Sequence, residues 1–382
     1  MSALLHSPRP RSALRQLDLV LLLAVAALIA LGSLLVWSAT RQRMLDADLD
    51  PQAFLKRHLV NAAIGLVVGA IAAGVDYRSL QTYAPLVYLA SCVGLVVVLS
   101  PVGRTINGAH SWIVLGGGFQ VQPAEFAKVA LVVGMAMLLS EHRDRRDISP
   151  RGGDVMLVLG LAAVPMALIL LQPDLGTVLV LVFIVLGVLT ISGASVRWLG
   201  GLVLAGAIVS VGAVQLGVLD DYQVARFASF ANPDLDPSGA GYNASQAQIA
   251  IGSGGLLGKG LFEGTQTSGR FIPEQQTDFI FTVAGEELGL VGASLLLALL
   301  AVVLWRGLRI AALATDSFGR LLAAGVVSWF AFQSFVNIGM TLGIMPVTGL
   351  PLPFVSYGGS AMFANLVAVG LLQNVHRRSG ER

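Results

Sequence analysis

Phe271-Ile-Pro-Glu-Gln-Gln-Thr-Asp-Phe-Ile-Phe-Thr-Val-Ala-Gly-Glu-Glu287 runs from a polar loop into a nearly continuous aliphatic stretch, Leu288 to Trp305. A run of that length is what a chain needs to cross hydrocarbon as a helix. Asp278, where loop meets helix, is therefore placed at a membrane-water boundary. Glu286 and Glu287 lie about 12 Å deeper along the helix, at 1.5 Å per residue. A carboxylate in or beside hydrocarbon costs about 2.5–3.5 kcal/mol, which makes such groups candidates for function.

The rest of the chain agrees with a membrane setting. Of 382 residues, 55% are hydrophobic and only 12% charged, with a mean hydropathy of +0.78, whereas a soluble domain carries about 25% charged residues. Apolar runs near 19–37, 58–75, 83–100, 124–140, 154–171, 174–192, 197–217, 279–305, 320–342 and 355–375 predict an all-α polytopic membrane protein of about ten transmembrane helices. The first run is too long for a signal peptide and is read as a span. Placing the N-terminus inside puts most of the 24 Lys and Arg on the cytoplasmic face, Arg9, Arg11, Arg15, Arg143, Arg145, Arg146, Arg377, Arg378 and Arg382 among them. That bias favours N-in and C-in, although Arg41, Arg43, Lys56 and Arg57 cluster around the first outside loop. No separate soluble domain is expected, so residues 1–382 form one membrane domain. Residues 101–123 and 218–278 become long outside segments, the second a large loop between helices 7 and 8 with short helices lying along the membrane. A net charge of +2 and the lack of a basic patch exclude nucleic acid as a partner. Cys92 is the only cysteine, which excludes an intrachain disulfide.

Two roles are open to Asp278: an N-cap that complements the helix dipole, or a chemically active carboxylate. Thr282, Gly285, Gly289 and Gly292 keep one helix face small beside it. Glu286 and Glu287 point in different directions, and a buried structural role is the simpler reading of them. In the other outside segment, Glu125 and Lys128 at i, i+3 follow Pro123; Lys128 either pairs with Glu125 or neutralises a phosphate. Trp112 is an interfacial tryptophan or a platform for a sugar ring. Gln172-Pro-Asp-Leu-Gly-Thr177 is read as a structural corner. Met345 to Ser360, with its prolines and Ser-Tyr-Gly-Gly-Ser cluster, is irregular backbone of a kind tolerated at membrane depth only beside protein or a water-filled cavity. Gly254 to Gly260 lacks the residues of a phosphate-binding loop, and Asp48-Leu-Asp50 and Asp234-Leu-Asp236 are chance acidic pairs.

Taken together, Trp112, Gln122-Pro-Ala-Glu125-Phe-Ala-Lys128, Gln172 to Thr177, Asn232-Pro-Asp-Leu-Asp-Pro237, Gly241-Tyr-Asn243, Pro273 to Phe279, Gly285-Glu-Glu-Leu-Gly289 and Gly349 to Ser360 resemble the SEDS family (shape, elongation, division and sporulation) nearly end to end. Ala124 departs from the serine common there. Gly264-Thr-Gln-Thr267 and Phe271-Ile-Pro-Glu-Gln275 are closer to the rod-shape elongation branch, typified by RodA, than to the division branch, typified by FtsW. The resemblance implies a peptidoglycan glycosyltransferase in the bacterial cytoplasmic membrane, polymerising lipid II at the outer face for lateral wall growth and rod shape. It also implies a class B penicillin-binding protein (transpeptidase) as partner within the elongation complex. It implies that Asp278 is catalytic and that Trp112, Glu125, Lys128 and Glu286 bind substrate or support the site.

The implied chemistry is an inverting transfer with Asp278 as general base and undecaprenyl diphosphate as leaving group. Positive charge for the diphosphate is expected from Lys128, Arg270 or a divalent cation, magnesium or manganese; no Cys/His cluster suggests zinc. The rival functions are a lipid II flippase, whose site belongs nearer the midplane, and a scaffold without chemistry.

Overall fold

In the computed structural model, the described residues are 16–106, 108–116, 119–146, 149–217, 224, 226, 229–230 and 239–379. Arg9, Arg11, Arg15, Arg382, Asp234 and the Asn232 to Pro237 motif lie outside them. Among the described residues, ten long helices correspond to the ten apolar runs. They are α1 (Leu19–Leu45), α2 (Ala53–Gly74), α3 (Tyr77–Leu99), α4 (Pro123–Arg146), α5 (Gly152–Leu170), α6 (Leu175–Ser192), α7 (Val196–Gln215), α10 (Ile280–Leu313), α11 (Ser317–Thr341) and α12 (Gly359–Ser379). Between α7 and α10 lie the short helices α8 (Ala240–Ser253) and α9 (Thr265–Gly269).

Local sequence sets the helix ends. Asp18 caps α1 by accepting from the Leu21 amide, Asp174 caps α6 through the Thr177 amide, and Asp316 caps α11 through the Gly319 amide. Pro123 opens α4, where a missing N–H costs nothing. Among the described residues, nine helices are long and apolar enough to cross a membrane. The tenth, α12, is long enough but more polar, because it lies inside the bundle and presents Asn365, Gln373 and Asn374 to buried partners. It packs most extensively along α2. By contrast α7 has no buried residue, as suits a peripheral helix facing hydrocarbon.

One feature was not legible in the sequence, and one helix boundary differs from its apolar run. Residues 101–123 contain a three-stranded antiparallel sheet, β1 (Gly103–Ile106), β2 (Ala109–Gly116) and β3 (Phe119–Val121), in the order β1-β2-β3. The last helix starts at Gly359 rather than 355, since the prolines and glycines from Pro346 to Gly358 hold an extended loop.

The chain after α8 does not simply rest beside α10. Lys259 and Gly260 amides donate to Glu286 and Glu287 carbonyls at 3.0 and 3.1 Å, while Leu290 and Val291 amides donate back to Gly255 and Leu256 at 2.9 and 3.1 Å. The loop thus replaces helical hydrogen bonds where α10 is broken at Gly289 (φ 65°, ψ −165°), satisfying backbone groups that water cannot reach. This conformation is open almost only to glycine, and a Cβ there would lie 2.2 Å from the Gly258 nitrogen. Gly289→Ala is expected to lower the melting temperature of the purified protein in detergent, by the equivalent of about 1–3 kcal/mol. Gly200→Ala, where a methyl meets nothing within 4 Å, is expected to leave it unchanged or slightly higher.

Candidate active site

A cavity of about 600 Å³ opens on one end of the bundle. Its walls come from the end of α1 (Arg43), the start of α2 (Phe54, Arg57, Asn61), the sheet (Ser111, Trp112, Gln120), the α5–α6 corner (Asp174), Arg226, the turn Glu274 to Asp278, and the loops from Pro346 to Ala361. In a chain of alternating spans, all of these loops share one face, opposite both termini.

Asp278 stands on a tight turn. The amides of Thr277, Asp278 and Phe279 all point to the Glu274 carbonyl, at 3.2, 3.1 and 3.4 Å. The cap position of α10 falls on Phe279, and no side chain caps the helix, so of the two roles open to Asp278 the N-cap is not the one adopted. Its carboxylate lines the cavity instead. Burial pushes this group up to about 7; Glu274 and Asp174 push the same way, while Arg226 and Thr277 oppose them.

Trp112, on β2 opposite Arg104, lines the same cavity. The sheet is fixed to the bundle at Ser360, whose hydroxyl accepts from the Gln122 amide at 2.8 Å. Gln122 in turn donates to Asp174 at 3.2 Å, so the α5–α6 corner, expected to be structural, is also a wall of the cavity.

The other sequence-selected residues lie behind the wall. Lys128 is fully buried and donates to Glu125 at 2.7 Å and to Gln333 at 2.9 Å, with its ammonium 5.2 Å from the centre of the Trp329 ring. Glu286 accepts from Lys259 (2.8 Å), the Gln266 amide (2.8 Å), and the amide and hydroxyl of Thr267 (2.9 and 2.8 Å). It therefore pins α9 and the chain leading to Asp278 against α10. Glu287 accepts from Ser38 on α1 at 2.6 Å, a helix-to-helix tie of the sort expected for one of the adjacent acids.

Of the cations proposed for a phosphate, Lys128 and Arg270 do not line the cavity; Arg270 is turned to Asp46 and to the Gln42 carbonyl. The arginines that line it are Arg43, Arg57 and Arg226. Arg43 and Arg57 were visible as charges on the face where the positive-inside bias disfavours them, a signal that could have marked them as candidates. Nothing in the sequence singled out Arg226, and Glu274 was quoted only as part of a motif, with no role given to it. Among the described residues, no three His, Cys, Asp or Glu gather as a metal-ligand set.

Losing Lys128 would strand Glu125, whose second oxygen already lacks a partner. Lys128→Met is therefore expected to destabilise the purified protein by about 3–5 kcal/mol. Adding Glu125→Leu is expected to recover much of the lost melting temperature.

Comparison with known proteins places this geometry. The FTSW_RODA_SPOVE family, described as cell cycle protein, matches residues 18–381. Stage V sporulation protein E of Bacillus subtilis (strain 168) is 40% identical over 364 residues, covering 95% of this chain and 97% of its own. Peptidoglycan glycosyltransferase MrdB of Escherichia coli (strain K12) is 39% identical over 362 residues, 94% and 93% of the two chains. Among solved structures, a chain of a peptidoglycan synthase complex, described as coordinating polymerization and crosslinking, superimposes with a TM-score of 0.80 at 36% identity over 96% of this chain and 99% of its own. The rod shape determining protein RodA of Thermus thermophilus gives 0.70 at 33% identity, over 96% and 98%. End-to-end similarity in sequence and fold, over the same helices that build the cavity, makes this chain a multi-pass membrane protein of the FtsW, RodA and SpoVE family, the SEDS family its motifs resemble.

Proposed function

We propose that this protein is a peptidoglycan glycosyltransferase that polymerises lipid II, with Asp278 as its general base. The observation that carries the mechanism is the placing of the Asp278 carboxylate on the wall of a cavity that also holds Arg43, Arg57 and Arg226; burial, which pushes this group up to about 7, suits it to the role. The sugar 4-hydroxyl of one lipid II attacks the anomeric carbon of the lipid-linked growing chain. Asp278 takes the hydroxyl proton as the new glycosidic bond forms, and the bond from the anomeric carbon to the diphosphate breaks, its electron pair leaving on a phosphate oxygen. Because both substrates are tethered to lipid, the membrane supplies part of their positioning.

The arginines, rather than Lys128 or Arg270, supply positive charge for the diphosphate, since a planar guanidinium can hold two phosphate oxygens at once. A magnesium or manganese ion shared with the substrate phosphates would need only one or two carboxylates from the protein; Asp174, Glu274 and Asp278 line the cavity but, among the described residues, do not gather as a three-carboxylate set. Trp112 offers a face for a sugar ring. Glu125, Lys128 and Glu286 support the site from behind.

The basic residues at the opposite end, Arg151, Arg197, Arg306, Arg309, Arg320, Arg377 and Arg378, support an outward-facing cavity, and the proposed activity sets the protein in the cytoplasmic membrane. A class B penicillin-binding protein is the proposed partner, supported by the synthase complex that superimposes on this chain. The sequence at Gly264 to Thr267 and Phe271 to Gln275 favours lateral elongation and rod shape over division. Against a flippase stands the position of the cavity: most of its described lining comes from the loops and helix ends of one face, with Ile64 of α2, Leu179 of α6 and Phe363 of α12 at its inner side, and Trp329, Phe330 and Phe354 are packed out of solvent in the bundle.

Purified protein, with and without its transpeptidase, is to be given labelled lipid II and the products sized. Glycan chains are expected, and Asp278→Asn is expected to reduce their formation by roughly 10²- to 10⁴-fold. Lipid II movement across liposomes without polymer, surviving that substitution, would instead establish a transporter. Asp278 must be ionised to accept a proton, so the rate is expected to rise as pH climbs through about 7 and to fall below it. Arg57→Gln and Arg226→Gln are expected to raise the KM for lipid II several-fold, measured from initial rates.

A further inference from the structure

We propose that Asn337 is a positioning residue, one that sets the distance between the Asp278 carboxylate and the Gly349 to Pro351 wall facing it. The inference rests on the reading of Asp278 as the general base. It starts from one stripe of α11, Trp329, Gln333 and Asn337, spaced i, i+4, i+8 and so on one helix face. Gln333 and Asn337 are both fully buried. The Asn337 amide donates to two backbone carbonyls at once, that of Asp278 at 2.8 Å and that of Leu350 at 2.7 Å. One turn earlier, the Gln333 amide donates to the Pro351 carbonyl at 2.7 Å, while its oxygen accepts from Lys128 and from the Trp329 indole at 2.9 and 2.6 Å.

The two carbonyls held by Asn337 belong to two different segments. One is the turn that carries Asp278; the other is the loop whose Gly349 and Pro351 line the cavity. Gly349, at φ +74°, lets its backbone come against the carboxylate: a Cβ there would lie 3.4 Å from Asp278 Oδ2. The far end of the loop is tied to the same turn by the Tyr357 amide, which donates to the Gln276 carbonyl at 2.8 Å. Asn337 Oδ1 is buried and makes no hydrogen bond. Both neighbours are acceptors, so the amide orientation is fixed by chemistry, and a side chain without donors cannot replace it.

A group that touches the base only through its backbone cannot bind substrate, so its loss should act on turnover and leave affinity alone. Misplacing a reacting group by about 1 Å costs on the order of 10²-fold. For Asn337→Ala, the rate of lipid II consumption at saturating substrate is expected to fall tenfold to a hundredfold while KM stays within twofold. The acid limb of the pH-rate profile is expected to move below its wild-type position as water reaches Asp278. Asn337→Ser, which keeps one donor, is expected to lie between, and is read by the same quantities should the alanine variant not accumulate. Ser334→Ala, on the same helix with a hydroxyl that bonds nothing, serves as the control with unchanged kinetics.

Less folded protein or a lower melting temperature, with turnover per folded molecule and the pH limb unchanged, would reduce Asn337 to a structural residue and overturn the proposal. A parallel measurement of Asp278→Asn separates the two readings. If that variant still polymerises, the base assignment fails; if it is dead while Asn337→Ala turns over normally, only the positioning role fails.

Discussion

The structure depends on one constraint: a polar group held inside an apolar bundle must find its partners within the protein, because no solvent is there to supply them. The cavity needs irregular backbone on several sides, and each irregular segment carries carbonyls and amides that no helix satisfies. The chain meets this with side chains from regular helices. Asn337 and Gln333 on α11 take up the carbonyls of Asp278, Leu350 and Pro351. Glu286 on α10 takes up the amides of Gln266 and Thr267. On the opposite end, Asn374 and Gln373 on α12 do the same for the end of α2 and the start of α1.

This explains why residues that look catalytic in the sequence stand behind the site. Lys128 and Glu125 are charged, sparse and close to the loop face, which is the profile of a phosphate-binding pair. In the fold they form a buried ion pair that orients Gln333, and through it the loop at Pro351. A buried pair of this kind contributes little net stability, yet removing one partner is costly. Its value lies in fixing an orientation, one step removed from the chemistry.

The architecture was legible because hydrophobic length is a one-dimensional signal: each of the ten runs became a helix, although α12 hides polar residues that only its central position explains. Asp278 was legible as a carboxylate at a boundary, and Trp112 as an aromatic in another segment on the same outside face. The small sheet was not, since Ala109 to Gly116 is short and its pairing with Gly103–Ile106 and Phe119–Val121 depends on turns rather than on a run. Nor was the set of cavity arginines, because Arg43, Arg57 and Arg226 come from positions far apart in the chain and converge only when α1, α2 and the loop after α7 are brought to one face.

Convergence also accounts for the state of Asp278 itself. An isolated aspartate at a helix start would cap the helix and stay well below neutrality, stabilised by backbone amides and the dipole. Here the turn at Glu274 uses those amides for its own carbonyl hydrogen bonds, the cap falls on Phe279, and the carboxylate is left among Glu274 and Asp174 with Arg226 as the opposing charge. Burial and like charge both favour the neutral acid, while one arginine keeps ionisation within reach near pH 7. Under the proposed function, a carboxylate half-committed in this way would take a proton from a sugar hydroxyl as the bond forms and release it afterwards. The left-handed Glu274 (φ 54°) is the local distortion in this turn, so the strain of one residue and the placing of another's carboxylate, four positions on, are parts of the same arrangement.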